Sequence, residues 1–557
     1  RPPVPPWPPR RGLAARPALA LLAVAVIITA RDAFTVLFGW EGLTLAFYLL
    51  AGSGRHQRGR AGAAQITLAF GKLSGAALLT GLVLLAARSH SIMLTSFAHV
   101  PGGAPRTTAQ ALLLAGFAIK AGLVPFQIWL PRGYCAAPGP ARAIMAGVCV
   151  NVAFYGMWRT LALLGRTPGW LVGVVLVLGA LSALLGIAHA AVQPRLSRVI
   201  AYSSIENSGL IVTGFGVALT GAAVGDRRLI AAGLLAATLQ MVAHTTAKSL
   251  LFTSVAGIEA AAGGDDLEDL RARDLPGGTR RAPWSGFGLA LGSVTLAGLP
   301  PTAGFVSEWF LLESLMQQFR VPGLGYRLVL ALAGAAVALT AGFAGVTFVR
   351  LVGLIVLGRG TEGRLPAASA GTGLVEYGWP GRAAVIVLAV SCLAIAAVTP
   401  LEVRVIAAGL SPDVPSALTM GALKSPWVLQ PVFAGFSILS PSWLCLELPV
   451  MLLIVVVFSW AVSGRRLFRV RRVPAWRSAT IGVEGANSYT AFGYANPARR
   501  VLAGVLGTED YLYRPALGLF MSVVVAAKRL QSGRLDAYLA YMLIALVAII
   551  AVVTVLA

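Results

Sequence analysis

The sequence is dominated by long apolar runs that are separated by short polar or basic segments. Many of these runs reach the length of about 20 residues that an α-helix needs to cross the hydrocarbon core of a bilayer. The strand-type alternation of a membrane β-barrel does not occur. We therefore predict an all-α, polytopic integral membrane protein. Its transmembrane helices, about thirteen in number, are predicted in residues 17–30, 33–52, 63–87, 107–129, 140–165, 169–192, 199–221, 228–258, 284–318, 326–357, 381–400, 443–463 and 537–557.

Proline interrupts two of the predicted spans beside an ionisable residue. In the first, GFAIKAGLVPFQIWLP, Pro125 follows Lys120, and in the second, LAGLPPTAGFVSEW, Pro300 and Pro301 precede Glu308. Proline removes a backbone donor, and non-helical backbone at membrane depth survives only where protein or a water-filled cavity satisfies it. A pair of broken, charged helices, one in each half of the chain, indicates inverted repeats around an ion path.

The density of apolar runs divides the chain into four predicted segments. Residues 1–16 form a Pro/Arg-rich tail without the order of a signal peptide. Residues 17–400 form the transmembrane domain. Residues 401–535 form a C-terminal extension with one span, a basic loop and an amphipathic segment near 512–531, whose basic flank suits a helix lying along the membrane. Residues 536–557 form the last transmembrane helix.

The strong positive charge comes from arginines beside the spans rather than from a nucleic-acid-binding face. The formal net charge is +24, yet only 12% of the residues are charged and 57% are hydrophobic. Arginine clusters next to spans are typical of positive-inside signals and of contacts with anionic lipids in the bilayer. The four cysteines and five histidines have no spacing that fits a zinc, iron–sulfur or haem site. We expect no nucleic acid, no metal and no redox cofactor in this chain.

Lysine is rare in this chain and concentrated in apolar surroundings. Of 45 lysines and arginines only five are lysines, and three of them, Lys72, Lys120 and Lys248, lie inside predicted spans. A buried lysine can release its proton near neutral pH, whereas an arginine effectively cannot. Ionisable residues within membrane spans are costly and are functional candidates by default. The pattern therefore indicates proton handling.

Further ionisable residues extend this set of candidates. Glu41 lies in mid-span and could pair with Lys120, either to transfer protons or only to pin two helices together. His244 and Lys248 are four residues apart and share one helix face, which suits a relay, although a histidine in a helix is more commonly a packing residue. Glu308 could release or take up protons near one membrane face. Glu206 serves either a relay or helix packing.

The motifs together resemble those of a known membrane-protein family. WEGLTLAFYLLAG, GFAIKAGLVPFQIWLP, VQPRLSRVIAYSSIENSGL, HTTAKSLLF and LPPTAGFVSEWFLL are similar, in this order, to signatures of the antiporter-like proton-pumping subunits. That family is shared by respiratory complex I, Mrp-type cation/proton antiporters and membrane-bound hydrogenases. The likeness is greatest to the hydrogenase-4 component B and formate hydrogenlyase subunit 3 branch. It covers about residues 17–557.

The resemblance implies a fold and a set of relay residues. The fold has two inverted five-helix repeats, each with a Pro-broken helix, and it usually begins with further spans, so we expect this chain to be truncated at its N-terminus. By motif, Glu41 and Lys120 match the paired carboxylate and lysine of the first repeat. His244 and Lys248 match the central residues, and Glu308 matches the terminal residue on the second broken helix. Lys72 remains a further candidate.

Four departures from the family pattern weaken the expectation of full pumping. Asn151 stands where the family commonly has a lysine, and an amide can hold a water but cannot carry a proton. The loop at 130–134 lacks the usual acid and histidine. Residues 195–198 lack the aspartate and lysine of the loop that joins the repeats. Residues 476–479 replace a Trp-x-Cys-Gly element.

These features predict a membrane-arm subunit of a hydrogenase-4/formate hydrogenlyase-like or NADH-quinone oxidoreductase-like complex. It would be a multi-pass protein of the cell inner (plasma) membrane, acting as the proton-translocating (or Na⁺-translocating) part of an oxidoreductase. The expected partners are other membrane-arm subunits and a peripheral hydrogenase or dehydrogenase arm. Two alternatives stay open: an Mrp-type cation/proton antiporter subunit, and a pumping-impaired membrane anchor of the complex.

Overall fold

The prediction of an all-α membrane protein is confirmed in the computed structural model, which describes residues 15–53, 60–272, 282–357, 378–411, 413–463 and 491–506. Within these ranges nine helices are long and apolar enough to cross a membrane. Twelve of the predicted apolar runs fall on described helices. The last run, 537–557, lies outside the described residues, as do the amphipathic segment 512–531 and residues 476–479.

The first half of the transmembrane domain makes five crossings. They are formed by the helices α1 (Ala15–Thr29), α2 (Ala33–Ala51), α3 (Arg60–Ser89), α4 (Ala104–Ala121) with α5 (Trp129–Ala136), and α6 (Gly139–Gly147) with α7 (Val152–Leu164). The fourth crossing is the interrupted one, because α4 ends just after Lys120 and the chain resumes as a helix only at Trp129. The predicted break around Pro125 is thus confirmed.

The second half repeats this order. Its crossings are α8 (Gly169–Val192), α9 (Leu196–Val224), α10 (Arg227–Ala262), then, after the short α11 (Leu267–Ala272), the pair α12 (Pro283–Leu296) and α13 (Ala303–Leu315), and finally α14 (Leu324–Leu351). Again the fourth crossing is interrupted, here between Leu296 and Ala303. An odd number of crossings in the first set returns the chain to the membrane on the opposite side, so the second set is inverted relative to the first.

The C-terminal extension adds helices to this core. It contains α15 (Trp379–Leu410), α16 (Ser416–Thr419), a hairpin of β1 (Leu423–Ser425) and β2 (Val428–Leu429), then α17 (Pro441–Val462), α18 (Ala491–Val501) and α19 (Ala503–Leu506). The predicted domain boundary at residue 400 falls inside α15, which continues through Pro400 to Leu410. Side chains of α17 are almost all exposed, which is expected of a helix that faces lipid at the edge of a bundle.

A buried ion pair joins the two repeats at one end of the bundle. Arg142 of α6 contacts Glu259 of α10 at 2.7 Å, and their side chains are only 7% and 20% exposed. Arg142 also donates from Nε to the carbonyl of Ala137. A second pair, Arg195 with Asp265, lies nearby at 3.2 Å but leaves the arginine 54% exposed. The first pair is therefore the stronger ion pair, and of the two it is the one that joins the repeats.

Replacing Arg142 with Met should lower the free energy of unfolding by about 3–5 kcal/mol, because Glu259 then keeps a buried charge without its partner. The double change Arg142→Met/Glu259→Gln should recover much of that loss. Thermal unfolding of the purified chain in detergent, followed by tryptophan fluorescence, measures both. The matched control is Arg195→Met, whose exposed pair should change stability by about 1 kcal/mol or less. An Arg142→Met variant as stable as the control would contradict the assignment.

Candidate functional site

The carboxylate of Glu41 contacts Lys72 rather than Lys120. Lys72 Nζ lies 2.5 Å from Glu41 Oε2, and the two side chains are 61% and 39% exposed on the outer face of α2 and α3. The carboxylate can lie against α3 because Gly75 leaves room for it: a Cβ at that position would lie 2.3 Å from Glu41 Oε1. The first candidate carboxylate is thus part of an ion pair on the surface of the described bundle.

Lys120 is buried and held by neutral groups. Its Nζ donates to Thr44 Oγ1 at 2.9 Å and lies 5.4 Å and 5.1 Å from the ring centroids of Trp40 and Phe47. Cation–π contacts of this kind stabilise an ammonium without neutralising it. Among the described residues no carboxylate comes within ion-pair distance of this lysine. Thr44 lies three residues after Glu41 on α2, so Lys120 of α4 bonds to the helix that carries Glu41 without contacting Glu41 itself.

The break after Lys120 is anchored to the second repeat. Gly122 ends α4 in the left-handed conformation, at φ +71°, which a glycine adopts without strain. Two residues later the backbone N–H of Val124 donates to Ser182 Oγ of α8 at 2.9 Å. A hydroxyl from the other repeat therefore satisfies a donor that the broken helix leaves free. Lys120 lies in the last turn of α4, where a helix terminus favours a cation.

The second break brings Glu308 against its own loop. Gly298 has φ +61°, and a Cβ on it would lie 2.3 Å from Glu308 Oε2. The carboxyl group of α13 therefore packs directly beside the non-helical backbone that follows α12. The side chain of Glu308 is buried. Cys445 of α17 donates to the carbonyl of Pro301 at 3.5 Å, which covers the same loop from outside.

His244 and Lys248 lie in the centre of the molecule, both completely buried on α10. Lys248 Nζ donates to Ser203 Oγ at 2.5 Å and to the carbonyl of Ile200 at 3.0 Å, both on α9. Neither ring nitrogen of His244 has a hydrogen-bond partner in the described part of the chain. A packing histidine normally has at least one, so its ring is available to exchange a proton.

Asn151 joins the last crossing of the first repeat to this centre. Its Nδ2 donates to Gly147 O at 2.8 Å and to Thr245 Oγ1 of α10 at 2.6 Å. Its buried Oδ1 accepts no hydrogen bond from the described residues. Thr245 directly follows His244, so the amide that replaces the family lysine is fixed beside the central residues. Glu206 of α9 is also buried, within electrostatic range of Lys248 and Glu308.

Hydroxyl groups on neighbouring helices are the functional residues that sequence reasoning missed. Thr44, Ser203 and Thr245 hold Lys120, Lys248 and Asn151 respectively. A serine or threonine in an apolar span does not by itself indicate a contact with another helix, since most such hydroxyls bond to a carbonyl of their own helix. No group of three or more His, Cys, Asp or Glu that could hold a metal occurs in the described ranges.

Comparison with known proteins agrees with this architecture. Residues 30–333 match the family described as NADH:quinone oxidoreductase/Mrp antiporter, transmembrane. The chain is 29% identical to hydrogenase-4 component B of Escherichia coli over 90% of this chain and 72% of that protein. It is 26% identical to formate hydrogenlyase subunit 3 of the same organism, over 71% of this chain and 60% of that protein.

A solved structure has the same fold. It is the membrane-bound sulfane sulfur reductase, an archaeal respiratory membrane complex, which superposes with a TM-score of 0.71 at 21% identity over 96% of this chain and 83% of the other. The predicted resemblance to antiporter-like subunits is confirmed, because the matched region runs from the start of α2 into α14 and contains both broken helices. The chain belongs to the NADH:quinone oxidoreductase/Mrp antiporter transmembrane family.

Proposed function

We propose that this chain is the proton-translocating membrane subunit of an oxidoreductase complex of the hydrogenase-4 or formate hydrogenlyase type. The observation that carries the proposal is the state of the two central lysines. Lys120 and Lys248 are buried, each held by hydroxyl, carbonyl or aromatic groups rather than by a carboxylate ion pair. An ammonium without a bonded counter-ion responds strongly to any charge change nearby, as a proton relay requires.

The proposed path follows the helix contacts of the molecule. A charge change at the pair of Glu41 and Lys72 acts on Lys120 of α4, because Lys120 is hydrogen-bonded to the helix α2 that carries Glu41. From there the path continues beside Asn151 to His244 and Lys248 on α10, and then to Glu308 at the second break. Each protonation biases the next group electrostatically, since charges in a low-dielectric interior act over several ångströms.

Partners are proposed from the outer ion pair and from the relatives. Glu41 and Lys72 are exposed in the middle of their helices, where lipid would leave the charges poorly solvated. We therefore place a neighbouring membrane subunit over this face of α2 and α3. A peripheral hydrogenase or dehydrogenase arm would supply the electrons, and the cell inner (plasma) membrane would be the location. Sodium is the other ion that such a path could carry.

Lys120→Met and Glu308→Gln, each in the assembled complex in sealed vesicles, should lower the number of protons moved per electron by about tenfold or more, because each removes a group that binds a proton on the path. The measurement records pH-gradient formation and electron transfer together. Lys424→Met is the matched control, since that lysine is exposed on β1. It should leave the ratio unchanged.

The same measurement separates the alternatives. Unchanged proton transport in both variants, with the complex intact, would leave only the role of a membrane anchor. Proton exchange that depends on an added cation and needs no electron donor would instead identify an Mrp-type antiporter.

Asn151→Leu should also reduce proton transport about tenfold, because leucine offers no hydrogen-bonding group beside Thr245. The control is Gln110→Leu. Gln110 is a buried amide of α4 that donates to Thr167 and lies away from the central residues. Both variants remove one buried amide, so equal losses of activity would indicate a stability effect and contradict the assigned role of Asn151.

A further inference from the structure

Glu206 is a buried carboxylate of α9 that the path above does not use. Its side chain is 0% exposed. One oxygen, Oε2, accepts from the amide of the adjacent Asn207 at 3.5 Å, the outer limit of a hydrogen bond. The other oxygen, Oε1, has no hydrogen-bond partner among the described residues. Burying a carboxyl group with so few hydrogen-bond partners costs free energy. A buried ionisable residue of this kind within a membrane span is a functional candidate.

Packing does not account for this residue. A carboxylate that pins two helices bonds across them, yet the one hydrogen bond that Glu206 makes among the described residues is to its own neighbour in sequence. On the other side Gly186 of α8 packs directly against the backbone of α9. A Cβ on this glycine would lie 2.3 Å from the amide nitrogen of Glu206. A glutamine would keep the size and the contact without the charge. The carboxyl group itself is therefore what needs an explanation.

Two proposed relay groups, Lys248 and Glu308, lie within electrostatic range of Glu206. Ser203 and Ile200, which hold the ammonium of Lys248, lie about one helical turn or two before Glu206 on α9. Lys248 of α10 and Glu308 of α13 are the charged groups that act on it electrostatically. α9 packs against both α10 and α13. The carboxyl group with the free oxygen is thus within electrostatic range of both the lysine and the terminal carboxylate.

We propose that Glu206 is the relay carboxylate that links Lys248 to Glu308. The proton leaves the Lys248 ammonium, which becomes a neutral amine, and converts the Glu206 carboxylate into a carboxylic acid. Glu206 then returns to its carboxylate as the proton passes to the Glu308 carboxylate. Asn207, whose Oδ1 accepts from Gln240 of α10 at 3.0 Å, fixes the backbone of α9 beside this step. The inference rests on the proposed function of the chain.

The test replaces Glu206 in the assembled complex in sealed vesicles. Glu206→Gln keeps the shape but cannot carry a proton, so the protons moved per electron should fall about tenfold or more. Glu206→Asp keeps a titratable group but moves the carboxyl group by one methylene. It should retain transport with a shifted pH dependence. Infrared difference spectra during turnover should show a carboxylic C=O band that is present in the native complex and lost in Glu206→Gln.

Thr213→Val is the matched control, since this buried hydroxyl of α9 bonds, among the described residues, only to the carbonyl of Gly209 in its own helix. Its transport should equal that of the native complex. Normal transport in Glu206→Gln beside a loss in Lys248→Met would overturn the relay but leave the proposed function standing. Normal transport in both would overturn the proposed function as well.

If Glu206→Gln fails to assemble, Glu206→Asp decides the question. Native proton stoichiometry together with a native pH dependence in Glu206→Asp would contradict the relay, because moving the carboxyl group by one methylene must alter a transfer that passes through it. An altered pH dependence with the complex intact would support the relay.

Discussion

The structure depends on one constraint: every backbone polar group at membrane depth must find a partner within the protein. The two breaks obey it in different ways. At the first, Ser182 of the opposite repeat accepts the free N–H of Val124. At the second, the carboxyl group of Glu308 packs beside Gly298. Because the first break takes its partner from the opposite repeat, separating the two repeats would expose that backbone N–H, and both breaks keep an ionisable residue beside non-helical chain.

The same constraint divides the charges into two kinds. Arg142 and Glu259 neutralise each other at one end of the bundle and hold the repeats together. Lys120 and Lys248 instead rest on hydroxyls, a carbonyl and aromatic faces. A change in protonation of one member of a buried ion pair leaves its partner with an uncompensated charge. An ammonium that is bonded to neutral groups can lose its proton without leaving such a charge behind. Stability and proton transfer are thus assigned to different parts of the molecule.

Local pattern was sufficient to predict the spans, both breaks and the shared face of His244 and Lys248. It was not sufficient to pair Glu41 with Lys72, which lie on different helices. Which residues meet across two helices depends on the rotation and depth of each helix, and neither quantity is encoded in the apolar run itself. For the same reason local pattern could not distinguish packing from a relay role at Glu206, and the relay proposed for it rests on its neighbours on other helices.

The two halves differ in how many groups can carry a proton. In the second repeat Lys248, Glu206 and Glu308 follow one another on adjoining helices, so on the proposed path each transfer has a titratable donor and acceptor. In the first repeat the proposed path passes Asn151, whose amide hydrogens are already used by Gly147 and Thr245. An amide fixed in this way offers only its free oxygen. Where the two repeats meet, proton transport on the proposed path therefore depends on the single side chain of Asn151.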